Sequence, residues 1–269
     1  MTIKWYLLPN DTSWEKYWEK TSIEEQAKTT NNDYPKLLKA IKNYSNKDSV
    51  VLDGGCGLGR WLFFLRRLGY KNLIGVDFTT SPLEIIKKHD KEIKVMVGNA
   101  DSLPIEDSSI DLYLSMGVIE HFEDGPEKAL LEAYRVLSKE GKMIISVPYQ
   151  NYYRSIIRRL ITMPLLKLFK PSFREKNRIF YQYYYSKKDL LGFIAKSRFE
   201  IIEWFYYDRF HTKNIRLGMY LEFPFLRKKN GKSFEINRVG GIIAKCSELF
   251  SKGIFTSNIV FVVRKNSYQ

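Results

Sequence analysis

The stretch Asp53-Gly54-Gly55-Cys56-Gly57-Leu58-Gly59 constrains the fold of this chain more than any other segment. It follows a short β-branched apolar run, Val50-Val51-Leu52, and leads into Leu58, Leu62 and Leu65, which recur at +4 and +3 in helical spacing. Gly69 closes that segment as a C-terminal cap. A strand, a glycine turn and a helix in direct succession open a parallel α/β unit. Glycines let the backbone turn tightly and approach a ligand with no Cβ in between. The helix that follows aims free N–H groups and its positive dipole end above the turn, which suits a pyrophosphate or an amino-acid carboxylate. Spacing separates the two. A dinucleotide fingerprint reads G-x-G-x-x-G, whereas Gly55, Gly57 and Gly59 give G-x-G-x-G with an acidic residue two positions ahead.

Downstream, strand and helix patterns alternate. Leu73-Ile74-Gly75-Val76 reads as a second strand, Pro82 to Lys88 as a helix, Val95-Met96-Val97 as a third strand and Ile110 to Leu114 as a fourth. Pro126 begins a helix with Leu130, Ala133 and Leu137 on one face, Gly141 is expected to end it, and Met143 to Val147 form the fifth strand. Later come a helix at Lys187 to Ala195 and strands at Ile201 to Tyr207 and Ile259 to Val263. This rhythm predicts a Rossmann-like three-layer α/β/α sandwich with a mostly parallel seven-stranded sheet plus helical cap and insertions. Residues 1–48 are expected to form an N-terminal helical cap, 49–148 the core, and 149–269 the completion of the sheet with basic and aromatic substrate-side insertions. Trp14, Tyr17 and Trp18, three and four apart, form one helical face that either closes over a ligand or packs a tail against the sheet.

Over residues 48–148 the motifs resemble the class I S-adenosylmethionine (SAM)-dependent methyltransferases, of the type 11-like kind, in four ordered places. The glycine turn from Asp53 through Gly54, Gly55, Gly57 and Gly59 is similar to the family's first motif. Asp77, 24 positions after Asp53, ends the second strand in Gly75-Val76-Asp77, followed by Phe78. Gly98-Asn99-Ala100-Asp101-Ser102-Leu103-Pro104 follows the third strand, and Ser115-Met116-Gly117-Val118-Ile119-Glu120-His121-Phe122 follows the fourth. The resemblance implies SAM as cofactor and S-adenosylhomocysteine as product. It implies that Asp77 accepts the ribose hydroxyls, Asp101 the adenine amino group with Asn99 and Ala100 beside it, and that Met116 lies beneath the methionine moiety. Arg60 either assists the carboxylate or sits on the helix exterior, and Asp53 either orients the turn or touches the ligand.

Methyl transfer asks a protein to align nucleophile, methyl carbon and sulfur, and to accept the nucleophile's proton where its pKa demands it. His121, just past the fourth strand, is the first candidate base, and Glu120 the second. Both also suit a purely structural role in the loop. His89 and His211 have no supporting constellation, and three histidines without clustered cysteines point away from a metal site.

Charge is uneven. The chain is +14 overall; residues 1–150 carry 20 basic and 22 acidic side chains, whereas 151–269 carry 24 and 8, a net of +16. Residues 151–178 hold Arg154, Arg158, Arg159, Lys167, Lys170, Arg174, Lys176 and Arg178 against Glu175 alone, interleaved with apolar side chains, and Arg227-Lys228-Lys229 adds a second cluster. Such a stretch fits a lid helix, an anionic substrate or peripheral membrane contact. With no RNA-binding motif, nucleic acid is the less favoured partner. The chain most resembles the small-molecule and glycan- or lipid-directed members of the methyltransferase family, and that resemblance implies a small, lipid- or glycan-linked anionic acceptor methylated on oxygen. An RNA methyltransferase, a nicotinamide oxidoreductase on a similar fold, and a non-catalytic SAM-fold protein are the alternatives. No apolar run nears the ~20 residues of a bilayer span, Met1 to Trp5 lacks a leader's apolar stretch, and Cys56 and Cys246 stand alone. A cytoplasmic protein, peripheral at the inner membrane face at most, is expected.

Overall fold

A computed structural model describes residues 2–7, 14, 18, 23, 34–162, 164, 168, 179–207, 219, 223–228, 235–250 and 253–266. Tyr17, Lys167, Lys170, Arg174, Glu175, Lys176, Arg178, His211 and Lys229 lie outside them.

The core is a seven-stranded sheet. Its strands are β2 (Val50–Gly54), β3 (Asn72–Asp77), β4 (Lys94–Val97), β5 (Ile110–Met116), β6 (Leu137–Pro148), β8 (Phe199–Tyr207) and β9 (Asn258–Lys265), in the order β4-β3-β2-β5-β6-β9-β8. Neighbours from β4 to β6 pair in parallel; β9 runs against both β6 and β8. The chain winds outward from β2 to β4, then returns to β5 on the other side of β2. That reversal leaves a cleft beyond the carboxyl ends of β2 and β5.

Two apolar layers cover the sheet's faces, as strand alternation requires. Leu112, Leu114, Ile144 and Val262 point to one face, against α1 (Pro35–Tyr44), α2 (Arg60–Arg67) and α3 (Thr80–His89) through Leu37, Leu62 and Leu83. Ile110, Tyr113, Ile145 and Phe261 point to the other, against α4 (Glu127–Val136) and α5 (Lys187–Lys196) through Leu130 and Leu190. The three-layer α/β/α architecture expected from the alternation is therefore present.

Three details depart from the sequence reading. Gly141 does not end a helix. Helix α4 stops at Val136, β6 begins at Leu137, and Gly141 sits where a Cβ would lie 2.6 Å from the Ile110 carbonyl oxygen. The register shift between Ile110 and Leu112 against β6 absorbs these extra residues. Within the segment expected to be a helical cap, Ile3–Leu7 is instead a strand, β1, paired antiparallel with β7 (Ile179–Tyr184), with Ile3 opposite Tyr184. Trp5 meets Tyr184 and Tyr6 meets Phe180 edge-to-face along this ribbon, each at 6.2 Å. Arg154, counted with the basic stretch, is 2% exposed; its guanidinium donates to the Tyr149 carbonyl at 2.6 Å and stacks on Tyr184 at 4.3 Å.

Candidate active site

The strand–turn–helix places the glycine turn over the sheet's C-terminal edge. Gly55, Gly57 and Gly59 all adopt positive φ, at 75°, 49° and 73°. At Gly57 the requirement is double, because a Cβ there would run into the Trp18 indole. The turn is tied to β3: the Gly55 and Cys56 N–H groups donate to the Val76 carbonyl at 2.7 and 3.1 Å. The Gly57 N–H donates to Asp77 Oδ2 at 2.8 Å, while Asp77 Oδ1 accepts from the Thr79 N–H and hydroxyl at 2.9 and 2.6 Å. Gly54 faces the opposite way, where a Cβ would collide with the Tyr113 ring.

A crevice of about 590 Å³ opens above the turn, within the range of small-molecule sites. Asp53, Gly55, Arg60, Asp77, Phe78, Asn99, Ala100, Met116 and His121 line it, nine of the residues singled out from the sequence, together with Trp14 and Trp18. Asp53 forms its floor at 2% exposure, and its Oδ2 finds no hydrogen-bond partner among the described residues. Burial, and then the Asp77 carboxylate, push the Asp53 pKa up to about 8. Such an oxygen is a standing demand for a cation or a donor. Arg60, at the first position of α2, donates to the Tyr34 hydroxyl at 3.0 Å.

Two expected residues lie elsewhere. Asp101 is not on the crevice wall: the turn closed by the Ser102 N–H on the Asn99 carbonyl at 3.0 Å presents Asn99 and Ala100 there and leaves Asp101 behind. Glu120 also misses the wall. It is 2% exposed, with Oε2 unpartnered among the described residues, and its charge acts on Tyr185. Burial pushes its pKa up to about 8. Gly54, Gly57 and Gly59 shape the turn without facing the cavity.

His121 ends the short 3₁₀ turn Ile119–His121 after β5. Its Nδ1 lies 2.7 Å from the Tyr181 carbonyl oxygen of β7. A carbonyl only accepts, so Nδ1 carries the proton and Nε2 keeps its lone pair. Burial holds the His121 pKa below the usual histidine value, partly opposed by that hydrogen bond. The ring also meets Trp14 at 4.9 Å and Tyr181 at 5.1 Å, both edge-on. Tyr181 was missed from the sequence, although the aromatic run Phe180 to Tyr185 carries the strand signal that could have found it. His89 packs on Phe63 at 5.0 Å, away from the crevice. Among the described residues no group of His, Cys, Asp and Glu is arranged to hold a metal ion.

Comparison with known proteins bears on this geometry. Residues 52–145 match the family model described as "Methyltransferase domain". An uncharacterized methyltransferase of Schizosaccharomyces pombe is 32% identical over 129 residues, 47% of this chain and 50% of that protein. The chain spans about half the length of the curated relatives it matches. A SAM-dependent methyltransferase from Archaeoglobus fulgidus superposes with a TM-score of 0.57 at 15% identity, covering 94% of this chain and 100% of that one. The Burkholderia thailandensis 1,6-didemethyltoxoflavin-N1-methyltransferase, solved with its substrate and S-adenosylhomocysteine, gives 0.53 at 13%, covering 94% and 82%. These two likenesses establish the fold.

Proposed function

We propose that this chain, whose residues 52–145 match the methyltransferase-domain model, is a class I SAM-dependent methyltransferase that moves a methyl group from SAM to an oxygen of a small, lipid- or glycan-linked, anionic acceptor.

The observation that carries this reading is Asp53. A buried carboxylate oxygen without a partner among the described residues, on the floor of a crevice above a glycine turn, matches a ligand that brings its own cation. SAM brings an ammonium and a sulfonium, and its carboxylate suits the N-terminus of α2. Arg60 stands beside that carboxylate position. Asp77 accepts twice from Thr79 on Oδ1 and once from Gly57 on Oδ2, so Oδ2 keeps a second lone pair for a ribose hydroxyl. Phe78, 55% exposed, offers an apolar face to the adenine, with Asn99 in the edge-reading role first assigned to Asp101. Gly55 and Met116 border the methionine end.

Bound SAM supplies an activated methyl group. The protein's share is position and proton transfer. His121, fixed by Tyr181 and Trp14, holds a neutral Nε2 ready to take a hydroxyl proton, which favours an oxygen nucleophile. Glu120 is left without a catalytic part by its place behind the loop. The net +16 of residues 151–269 favours an anionic acceptor by steering it toward that half.

The test is transfer of an isotopically labelled methyl group from SAM to fractionated small-molecule and lipid extracts. Label in an anionic product, as a base-labile methyl ester or a base-stable methyl ether, lost in Asp53→Asn, supports the reading. Label in RNA alone overturns the acceptor class.

A further inference from the structure

Helix α6 (Arg238–Phe250) is packed inside out compared with the helices on the sheet. Its inward positions are small: Gly240 and Ala244, seated on Leu226 and Ile236. Its large apolar residues face outward. Val239, Ile242, Ile243, Leu249 and Phe250 are 58%, 63%, 38%, 86% and 86% exposed. They recur at +3, +4, +10 and +11, one stripe along a helix. Phe225, 73% exposed, adjoins the start of α6 through the Asn237 side-chain amide, which donates to the Phe225 carbonyl at 3.0 Å.

A second helix adds to the same appendage. The π-helix Tyr153–Thr162 exposes Ile156 at 54% and Leu160 at 68%. Its Tyr153 packs on Phe223 at 4.5 Å and Phe255 at 6.3 Å, and both phenylalanines belong to the small core beneath α6. The π-helix follows the C-terminal end of β6 and α6 precedes the start of β9, where Pro148 pairs with Asn258. Both helices are thus rooted at the end of the sheet where the crevice opens.

Apolar exposure on this scale calls for a covering partner, and charge selects which. Arg238 and Lys245 are exposed on α6 beside the stripe, in a half that carries 24 basic and 8 acidic residues. A second copy of the chain would bring two such fields together. An anionic bilayer satisfies both features: its acyl boundary takes the stripe and its headgroups take the cations. We infer that the C-terminal half docks on the surface of an anionic lipid bilayer, with Val239, Ile242, Ile243, Leu249 and Phe250 inserted and the surrounding lysines and arginines on the headgroups. The inference does not depend on the methyl-transfer reading.

The experiment is co-sedimentation of the full chain with vesicles of phosphatidylcholine alone and of phosphatidylcholine mixed with phosphatidylglycerol. The wild type is expected to bind the mixed vesicles at least about tenfold more tightly, the preference falling as salt rises. Ile242→Asp/Leu249→Asp/Phe250→Asp is expected to lose roughly tenfold or more of that binding with its circular dichroism unchanged. Arg238→Glu/Lys245→Glu keeps the apolar stripe and is expected to lose the anionic preference, which carries the test should the triple variant fold poorly. Absent vesicle binding, binding untouched by both variants, or a dimer that the triple variant converts to a monomer would overturn the proposal.

Discussion

The Asp77 carboxylate accepts the Gly57 N–H at 2.8 Å, so the end of β3 clamps the glycine turn that follows β2. A ligand's sugar and its amino-acid end are thereby read by two segments locked to each other. Asp77→Ala deletes acceptors for three donors, on Gly57 and Thr79. Each buried donor left unmade costs about 1–3 kcal/mol. The variant is expected to melt several degrees lower and to bind SAM at least about tenfold more weakly. Differential scanning fluorimetry and calorimetry read the two effects; an unchanged melting temperature would remove the clamp.

Asp53 gives the affinity for SAM a pH dependence of known sign. With its pKa near 8 in the free protein, the carboxyl is neutral at lower pH and offers no charge to an ammonium. SAM binding should therefore tighten as pH rises toward about 8, by up to roughly tenfold per unit, and release a proton. Titrations in buffers of different ionisation enthalpy measure that proton. Asp53→Asn should flatten the profile.

Glu120 bears on stability rather than on turnover. Its folded pKa of about 8 stands above the ordinary carboxylate value. Its contribution is therefore fully present below the unfolded pKa and lost as pH rises through about 8. Glu120→Gln should leave the melting temperature below about pH 4.5 little changed and reduce its decline between about pH 4.5 and pH 8. A decline identical to that of the wild type would contradict the buried placement, in which Oε2 has no partner among the described residues.

His121 should separate chemistry from binding. His121→Ala is expected to lower kcat by about 10²–10⁴ while the Kd for SAM stays within about twofold. Because burial lowers its pKa, the wild-type kcat should hold its plateau to below the ordinary histidine value near 6.5, and the variant should lack that acid limb. Full turnover in the variant would leave the ring a structural part of the Trp14–Tyr181 cluster.

Much of the fold was legible because it is local. Val50 to Arg67 states strand, turn and helix in one continuous stretch, and each later strand announces itself by an apolar run. What escaped depends on distance or orientation. The β1–β7 ribbon joins Ile3 to Tyr184, and no periodicity within either segment reveals such a partner. Asp101 and Asn99 are equally polar in sequence; only the turn closed on the Asn99 carbonyl decides which faces the crevice. Trp14 and Trp18 read as a helical stripe, yet whether such a stripe packs a tail or walls a site depends on the tertiary contacts of Gly57 and His121. Gly141 looks like a cap because the residues after α4 enter β6 through a register shift against β5, from Leu137 opposite Ile110 to Lys142 opposite Leu112.

The most direct measurement is a calorimetric titration of the wild type and Asp53→Asn with S-adenosylhomocysteine, SAM and NADH at neutral pH. One-site binding of SAM and S-adenosylhomocysteine at about micromolar Kd, weakened in Asp53→Asn and absent for NADH, is the expected result. Heat from NADH alone, or a SAM isotherm that the Asp53 substitution leaves untouched, would contradict a crevice built around that carboxylate.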